Sequence, residues 1–246
     1  MSTCTIAAAG GPFGTPQPNF KETGGLHTAI GYWYHEDKYE NGTVHLIRQN
    51  QIYSEAGYGF QRYWDVYGRI GVSDLEIFDA FSSPNALTVA SDSDFKENWK
   101  FFGTLGAKGF YPINSIFGIG AFIQGTYYFD KFYDDVSGSD DGTPFIAQLK
   151  IKHLWDASCG VGVQATAPYG IKLYIGPYAY YSQAKASLLS NVTNLEFGAG
   201  EVTIKNKTNL GGYAGTFIPL GKGFQLNIEG QYSERLSAGV AVTYMY

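Results

Sequence analysis

Apolar and polar residues alternate with a period of two along most of this chain. The apolar positions are Leu26, Ile30, Tyr32 and Tyr34 in 25–35, Ile52, Ala56, Tyr58 and Phe60 in 46–61, and Trp64, Val66, Ile70 and Val72 in 64–78. They are Trp99, Phe101, Leu105, Ala107 and Tyr111 in 99–111, and Phe117, Ile119, Ala121, Ile123, Tyr127 and Phe129 in 116–130. Three further runs carry Phe145, Leu149, Ile151, Trp155, Val161 and Val163, then Ile171, Leu173, Ile175 and Tyr181, then Phe224, Leu226, Ile228 and Tyr232. Successive strand side chains point to opposite faces, so each run predicts a β-strand with one apolar face. Segment 201–218 changes parity between Val202, Ile204 and Tyr213, Phe217, which predicts a bulge near Gly211-Gly212. With 236–246 the pattern gives ten antiparallel strands over 25–246, with eight and twelve as the alternative counts.

Short turns at 112–115, 167–170 and 219–223 alternate with longer polar stretches at 36–44, 82–97, 131–143 and 187–198. Phe101 and Tyr111 share a face ten residues apart, as do Phe117 and Tyr127. A membrane-crossing strand needs about 9–11 residues and carries aromatic girdles at both interfaces. No stretch approaches the roughly 18 apolar residues of a spanning helix, so a membrane-resident chain of this kind must be a closed barrel. The rival is a soluble up-and-down barrel with the apolar face inward. It would expose a second face that carries Gly, Gln and Tyr more than the charges a solvated surface usually shows.

The chain ends Val240-Ala241-Val242-Thr243-Tyr244-Met245-Tyr246, a strand with one apolar face and a terminal aromatic. Together with the alternation, the girdle spacing and the turn–loop asymmetry, this end resembles small bacterial outer-membrane β-barrel proteins. The resemblance covers 25–246 and implies an all-β transmembrane up-and-down barrel in the bacterial outer membrane. It also implies that the terminal aromatic is read by the barrel-assembly machinery, with outer-membrane lipid and lipopolysaccharide as surroundings. No leader is visible at Met1-Ser2-Thr3-Cys4, so a mature form, or one produced without its leader, is expected.

Charge modifies the picture inside. With the apolar set facing lipid, the other parity lines a lumen that includes Glu55, Arg69, Lys100, Lys108, Lys150, Lys152, Asp156, Lys172 and Glu229. Buried charges need partners, and Glu55 can meet Arg69 across a hairpin turning near Arg62-Tyr63. Ten strands stand between side-chain-filled barrels and open ones. The lysines suggest a narrow, weakly anion-favouring path, and a pore or ligand-holding channel for small solutes is the expected role. The rival is a non-conducting adhesion or interaction barrel acting through its outer loops. Glycines 57, 59, 71, 106, 118, 120, 160, 162, 176 and 239 all take the inward parity. They point to tight curvature, or to a chamber entered by the irregular segment 1–24 as a plug from the periplasmic side, with Phe13 and Phe20 as anchors.

A net charge of -5 without a basic stripe speaks against a nucleic-acid partner. Asp92-Ser93-Asp94 resembles the acidic pair of outer-membrane proteases, but no Asp-x-His motif accompanies it late in the chain. His153 and Ser158 fall on opposite faces, and His27 with His35 lacks further ligands at metal-binding spacing, so no enzyme, cofactor or metal is expected. Changing Tyr246 to Ser should slow assembly in cells, read as a lower steady-state amount of folded barrel in the outer-membrane fraction; unchanged amounts would contradict the resemblance at that residue.

Overall fold

The computed structural model describes residues 11–18, 24–40, 44–60, 63–82, 88–190, 200–206 and 209–246. β1 (Gly25–Glu40), β2 (Val44–Phe60) and β3 (Trp64–Ile77) form a meander, followed by the short β4 (Thr88–Ala90) and β5 (Phe95–Pro112). β6 (Phe117–Tyr128), β7 (Phe132–Asp140), β8 (Thr143–Thr166) and β9 (Lys172–Ser190) come next. β10 (Gly200–Lys205), β11 (Leu210–Gly221), β12 (Phe224–Tyr232) and β13 (Leu236–Met245) complete the chain. Around the wall the order is β1-β2-β3-β5-β6-β8-β9-β11-β12-β13, antiparallel throughout, and β13 returns to β1 from His27↔Met245 to Tyr34↔Ala238. The ring therefore has no open edge, which is the condition for backbone in hydrocarbon.

β7 pairs with β8 beyond the end of β6, and β10 pairs with β9 beyond the end of β11. Each resumes a wall strand after a break, while β4 pairs with β7 alone. The break before β11 corrects the expected bulge at Gly211-Gly212, where pairing with β9 runs without a shift from Leu210 to Phe217. The interruption lies instead at Asn206. Its amide donates to the Tyr180 carbonyl and accepts from the Ser182 N–H, taking the place of ladder bonds.

In the half of the barrel near the short turns, the outer surface exposes Ile30, Ile70, Leu105, Ile123 and Ile175, while His27, Asp65, Arg69, Gln124 and Gln164 are buried inside. Toward the other end the polarity of the two faces inverts. Ile47, Leu75, Ile77, Phe95, Phe132, Phe145, Leu149, Ile151, Leu188 and Ile204 are buried together, and Arg48, Glu76, Lys96 and Lys185 lie on the outside. An apolar outer face suits hydrocarbon; an apolar inner face suits water outside, where burying each large side chain contributes about 1.5–3 kcal/mol. The level of the inversion marks where the wall leaves lipid. β8, 24 residues long, reaches well past the roughly 9–11 needed to cross.

In β3 the inversion occurs without any change of parity: Asp65 and Arg69 low in the strand share a face with Leu75 and Ile77 high in it. In β8 the parity itself flips at a register shift between Lys152 and Trp155, where His153 has φ 52°. Consequently Phe145, Leu149 and Ile151, expected on the lipid face, point inward, and Lys150 and Lys152, expected in the lumen, point outward. The polar stretch 131–143, expected as a loop, is mostly strand: β7 and β8 join at Asp141-Gly142, both with positive φ, as two-residue hairpin loops require.

This arrangement separates two exposed isoleucines. Ile123→Arg should destabilise the barrel in lipid by about 2–4 kcal/mol, the cost of a cation near the midplane. Ile146→Arg, on the water side of the inversion, should cost under about 1 kcal/mol. Urea titration of barrels folded into vesicles measures both, and equal costs would refute the assignment of the boundary.

Candidate functional site: the occupied lumen

The lumen is not empty. Residues 11–18 run along it from the short-turn end, and Phe13 and Thr15 are buried. At Gln17 the chain meets Gln164, whose amide donates to Gln17 Oε1 at 3.0 Å, and Thr15 Oγ1 donates to Gln164 Oε1. Pro16 rests on Gly120, where a Cβ would lie 2.6 Å from the proline ring. The rest of the inward glycine belt serves mainly the wall's own rings: Phe110 lies over Gly118, Phe122 over Gly160 and Trp33 over Gly239. Further in, the Phe13 ring stacks on Phe122 at 4.1 Å and meets the edges of Tyr178 and Tyr213 at 4.9 and 5.3 Å. Gly11 has φ 84° and Gly14 φ 73°, so the path needs left-handed backbone at both.

Glu229 of β12 holds this segment. Its two carboxylate oxygens accept the N–H groups of Phe13 and Gly14, each at 2.7 Å. The Tyr174 hydroxyl and the Gln231 amide donate to the same carboxylate at 3.0 and 2.9 Å. Gln124 and Gln231 also donate to the Gly11 carbonyl from opposite walls. A buried carboxylate with four donors is satisfied without a cation; two of the donors are set by β9 and β12, and the other two come from the segment it holds.

The other charges form a second cluster beside it. Glu55 and Arg69 stand directly opposite across β2 and β3, and Arg69 Nε donates to Glu55 Oε2 at 2.6 Å. The guanidinium lies between the Tyr53 and Tyr67 rings at 5.0 and 4.8 Å. His27 Nε2 bonds Asp65 at 3.0 Å and its Nδ1 lies 3.7 Å from Glu55. Lys108 faces Asp65 in the ladder and presses its ammonium toward Gly14 and the Tyr67 ring. Asp156 is buried in the wall beyond them.

The expected lysine-lined path does not assemble. Lys150 and Lys152 are outside, and Lys100 joins Glu97 and Tyr133 at a notch where β6 gives way to β7. Lys172 sits at the short-turn rim against the Phe217 ring. Among the described residues the buried Asp, Glu, Lys and Arg side chains are thus Arg69 and Lys108 with Asp65, Asp156 and Glu229, nearly joined by Glu55, and Asp37 apart from them toward the other end. The glutamines that fasten the segment were legible only as polar inward positions; nothing in their spacing marks them as holders of another backbone. A cavity of about 20 Å³ remains beside Pro12, Glu55, Arg69 and Lys108, room for about one water.

The remaining candidate chemistry is dispersed. His35 Nδ1 bonds Ser237 Oγ at 2.7 Å, separate from the His27 cluster. Asp92 and Asp94 lie 3.5 and 3.3 Å from Lys96 Nζ, and the Asp94 N–H donated to Asp92 holds that carboxyl below its usual range. His153 is exposed beside Tyr127, and Ser158 is buried on the opposite face. Cys159 is exposed, and Cys4 lies outside the described residues.

With this geometry in view, comparison with solved structures identifies the class. The fold is similar to the translocator domain of the autotransporter NalP from Neisseria meningitidis, with a TM-score of 0.53 and 11% identity over 90% of this chain and 88% of that one. Weaker likenesses include the outer membrane protease OmpT from Escherichia coli, with a TM-score of 0.46 and 12% identity over 91% and 95% of the two chains. The COG4313 outer membrane channel from Pseudomonas putida F1 gives 0.46 and 10% over 97% and 100%. No family model and no curated protein matches the sequence. The chain has the fold of a bacterial outer-membrane β-barrel, in its ten-strand form, and no subfamily is identified.

Glu229→Ala should leave the two segment N–H groups, the Tyr174 hydroxyl and the Gln231 amide without that acceptor. The expected loss is about 2–4 kcal/mol, within the range for stranding buried partners of a charge. Hydrogen exchange should show protection lost at Phe13 and Gly14 first; retained protection there would show that Phe13 packing alone seats the segment.

Proposed function

We propose that this protein is a bacterial outer-membrane barrel that is closed to solutes at rest and acts through the wall standing above the lipid, as an interaction or adhesion barrel rather than an enzyme. The observation that carries this reading is the filled interior. Residues 11–18 occupy the lower lumen, and Ile47, Leu75, Phe95, Phe132, Leu149 and Ile204 pack across the upper one. The extended strands give the outer end a rigid hairpin frame, with β7 and β8 turning tightly at Asp141-Gly142. Outer-membrane lipid, lipopolysaccharide and the barrel-assembly machinery are the surroundings this reading assigns.

A second reading, a gated channel for small solutes, is favoured by the way the segment is held. Much of its grip is hydrogen bonding through Glu229, Gln164 and Gln124, which water can replace. Planar-bilayer recording separates the two. The intact barrel is expected to be silent, and a chain lacking residues 1–22 is also expected to be silent, because the apolar packing above remains. Steps from the truncated barrel alone would favour the gated channel. Steps from the intact one would overturn the closed reading.

A further inference from the structure

Residues 11–18 are held as a ligand is held, not as part of the sheet. None of them lies in a strand, and their hydrogen bonds run to the wall side chains of Glu229, Gln124, Gln231 and Gln164. Those groups read features that any peptide carries. A carboxylate takes two consecutive N–H groups, and two amides from opposite walls take the carbonyl of Gly11.

Three positions add selectivity. The ring of Phe13 fills a cage of Phe122, Tyr178 and Tyr213, which stack on it or meet it edge-on. At Gly11 a Cβ would lie 3.2 Å from the Arg69 guanidinium, and at Gly14 one would lie 2.7 Å from the Lys108 ammonium. Both residues also have positive φ, so glycine alone suits either place. Pro12 and Pro16 fix φ in advance, which lowers the entropy lost on ordering. The wall thus specifies Gly-Pro-aromatic-Gly with the amino end innermost. At the short-turn end, beside Gln17, a cavity of about 300 Å³ opens against Gln164, Asn114 and Lys172. Entry is therefore lengthwise through this mouth, amino end first, with no parting of the wall.

We propose that the lower lumen is a peptide-binding site, which takes an amino-terminal Gly-Pro-aromatic-Gly segment of a separate protein in exchange for residues 11–18. The resident segment is then an internal competitor: on its short tether its effective concentration is on the order of millimolar. A second copy of this chain is the poorer donor, because giving up its segment empties its own lumen. A separate polypeptide carries no such cost. Exchange at this end leaves the apolar packing of the upper lumen in place, so the barrel stays closed.

The test uses the full chain refolded in detergent micelles, and a peptide of residues 11–18 labelled at its carboxyl end as the probe. In the double variant F13A/G14A the resident segment loses its ring and clashes with Lys108, while the wall is unchanged. This variant is expected to bind the probe at least about tenfold more tightly than the native chain, whose own segment competes. Adding E229Q should weaken that binding at least about tenfold, since one carboxylate oxygen becomes an amide nitrogen facing an N–H. Alanine in place of the probe's phenylalanine, or of its second glycine, should weaken it as much. K96Q, on the outer wall, is the control and should match the native chain. Absence of saturable binding by F13A/G14A, or binding indifferent to E229Q and to the probe's ring, would overturn the site. If circular dichroism shows F13A/G14A unfolded, hydrogen exchange of the native chain decides. Millimolar probe should speed exchange at Phe13 and Gly14, and unchanged rates would overturn the proposal. A mixed dimer of native and variant chains in size-exclusion chromatography would overturn the separate protein as donor in favour of a second copy.

Discussion

Everything in this molecule depends on the seam between the first strand of the wall and the last. A sheet in hydrocarbon has no water to satisfy an edge, so the backbone must find all its partners within itself. Pairing of β13 with β1 meets that demand, and it fixes the count of strands in the ring. The count fixes the girth, and at ten strands the girth is small enough for opposite walls to share contacts. The Phe13 ring touches side chains from β6, β9 and β11, and Gly11 is bonded from β6 and β12. A wider ring would leave those groups facing water.

A single wall meets two solvents, and its two faces exchange roles between them. Low in the barrel, much of the apolar surface is already in lipid, so the inward face has to bury polar groups as well as rings. The interior there combines charge and hydrogen bonding with aromatic packing: Glu229 with four donors, Arg69 against Glu55 between two tyrosine rings, and Phe13 on Phe122. High in the barrel the ordinary hydrophobic effect carries most of the burial, with Asp37 as a buried carboxyl that accepts from the Tyr180 hydroxyl. The filled interior is therefore two different cores placed end to end, each built for what surrounds it.

The sequence disclosed the low half well because lipid imposes a strict rule on every second residue. The strands through Ile119, Ile175 and Ile228 follow it without exception. The high half was misread where that rule stopped applying. Leu149 and Ile151 keep a two-residue alternation with Trp155 and Val161, and only the backbone at His153 reveals that the face has changed. One residue with positive φ thus moved Lys150 and Lys152 from the expected lumen to the surface and removed the expected anionic path. The internal pairs were partly legible. Glu55 and Arg69 could be matched from hairpin register, which is local. The contact of Glu229 with Phe13 spans 216 positions and depends on ring closure, so no local pattern encodes it.

The position of that contact in the chain also sets an order of events. The segment holding Phe13 precedes β1, yet its partners lie on β6, β8, β9, β11 and β12, and a carboxylate near the end of the chain completes its grip. Contacts of such long range form late, after the loop-closure entropy between them has been overcome. Residues that precede the whole wall in the chain are then among the last to be placed. As the sheet curls, they must already lie on its concave side, because once β13 meets β1 the wall offers no sideways way in. Closure of the barrel is in this sense also the capture of the segment that leads into its first strand.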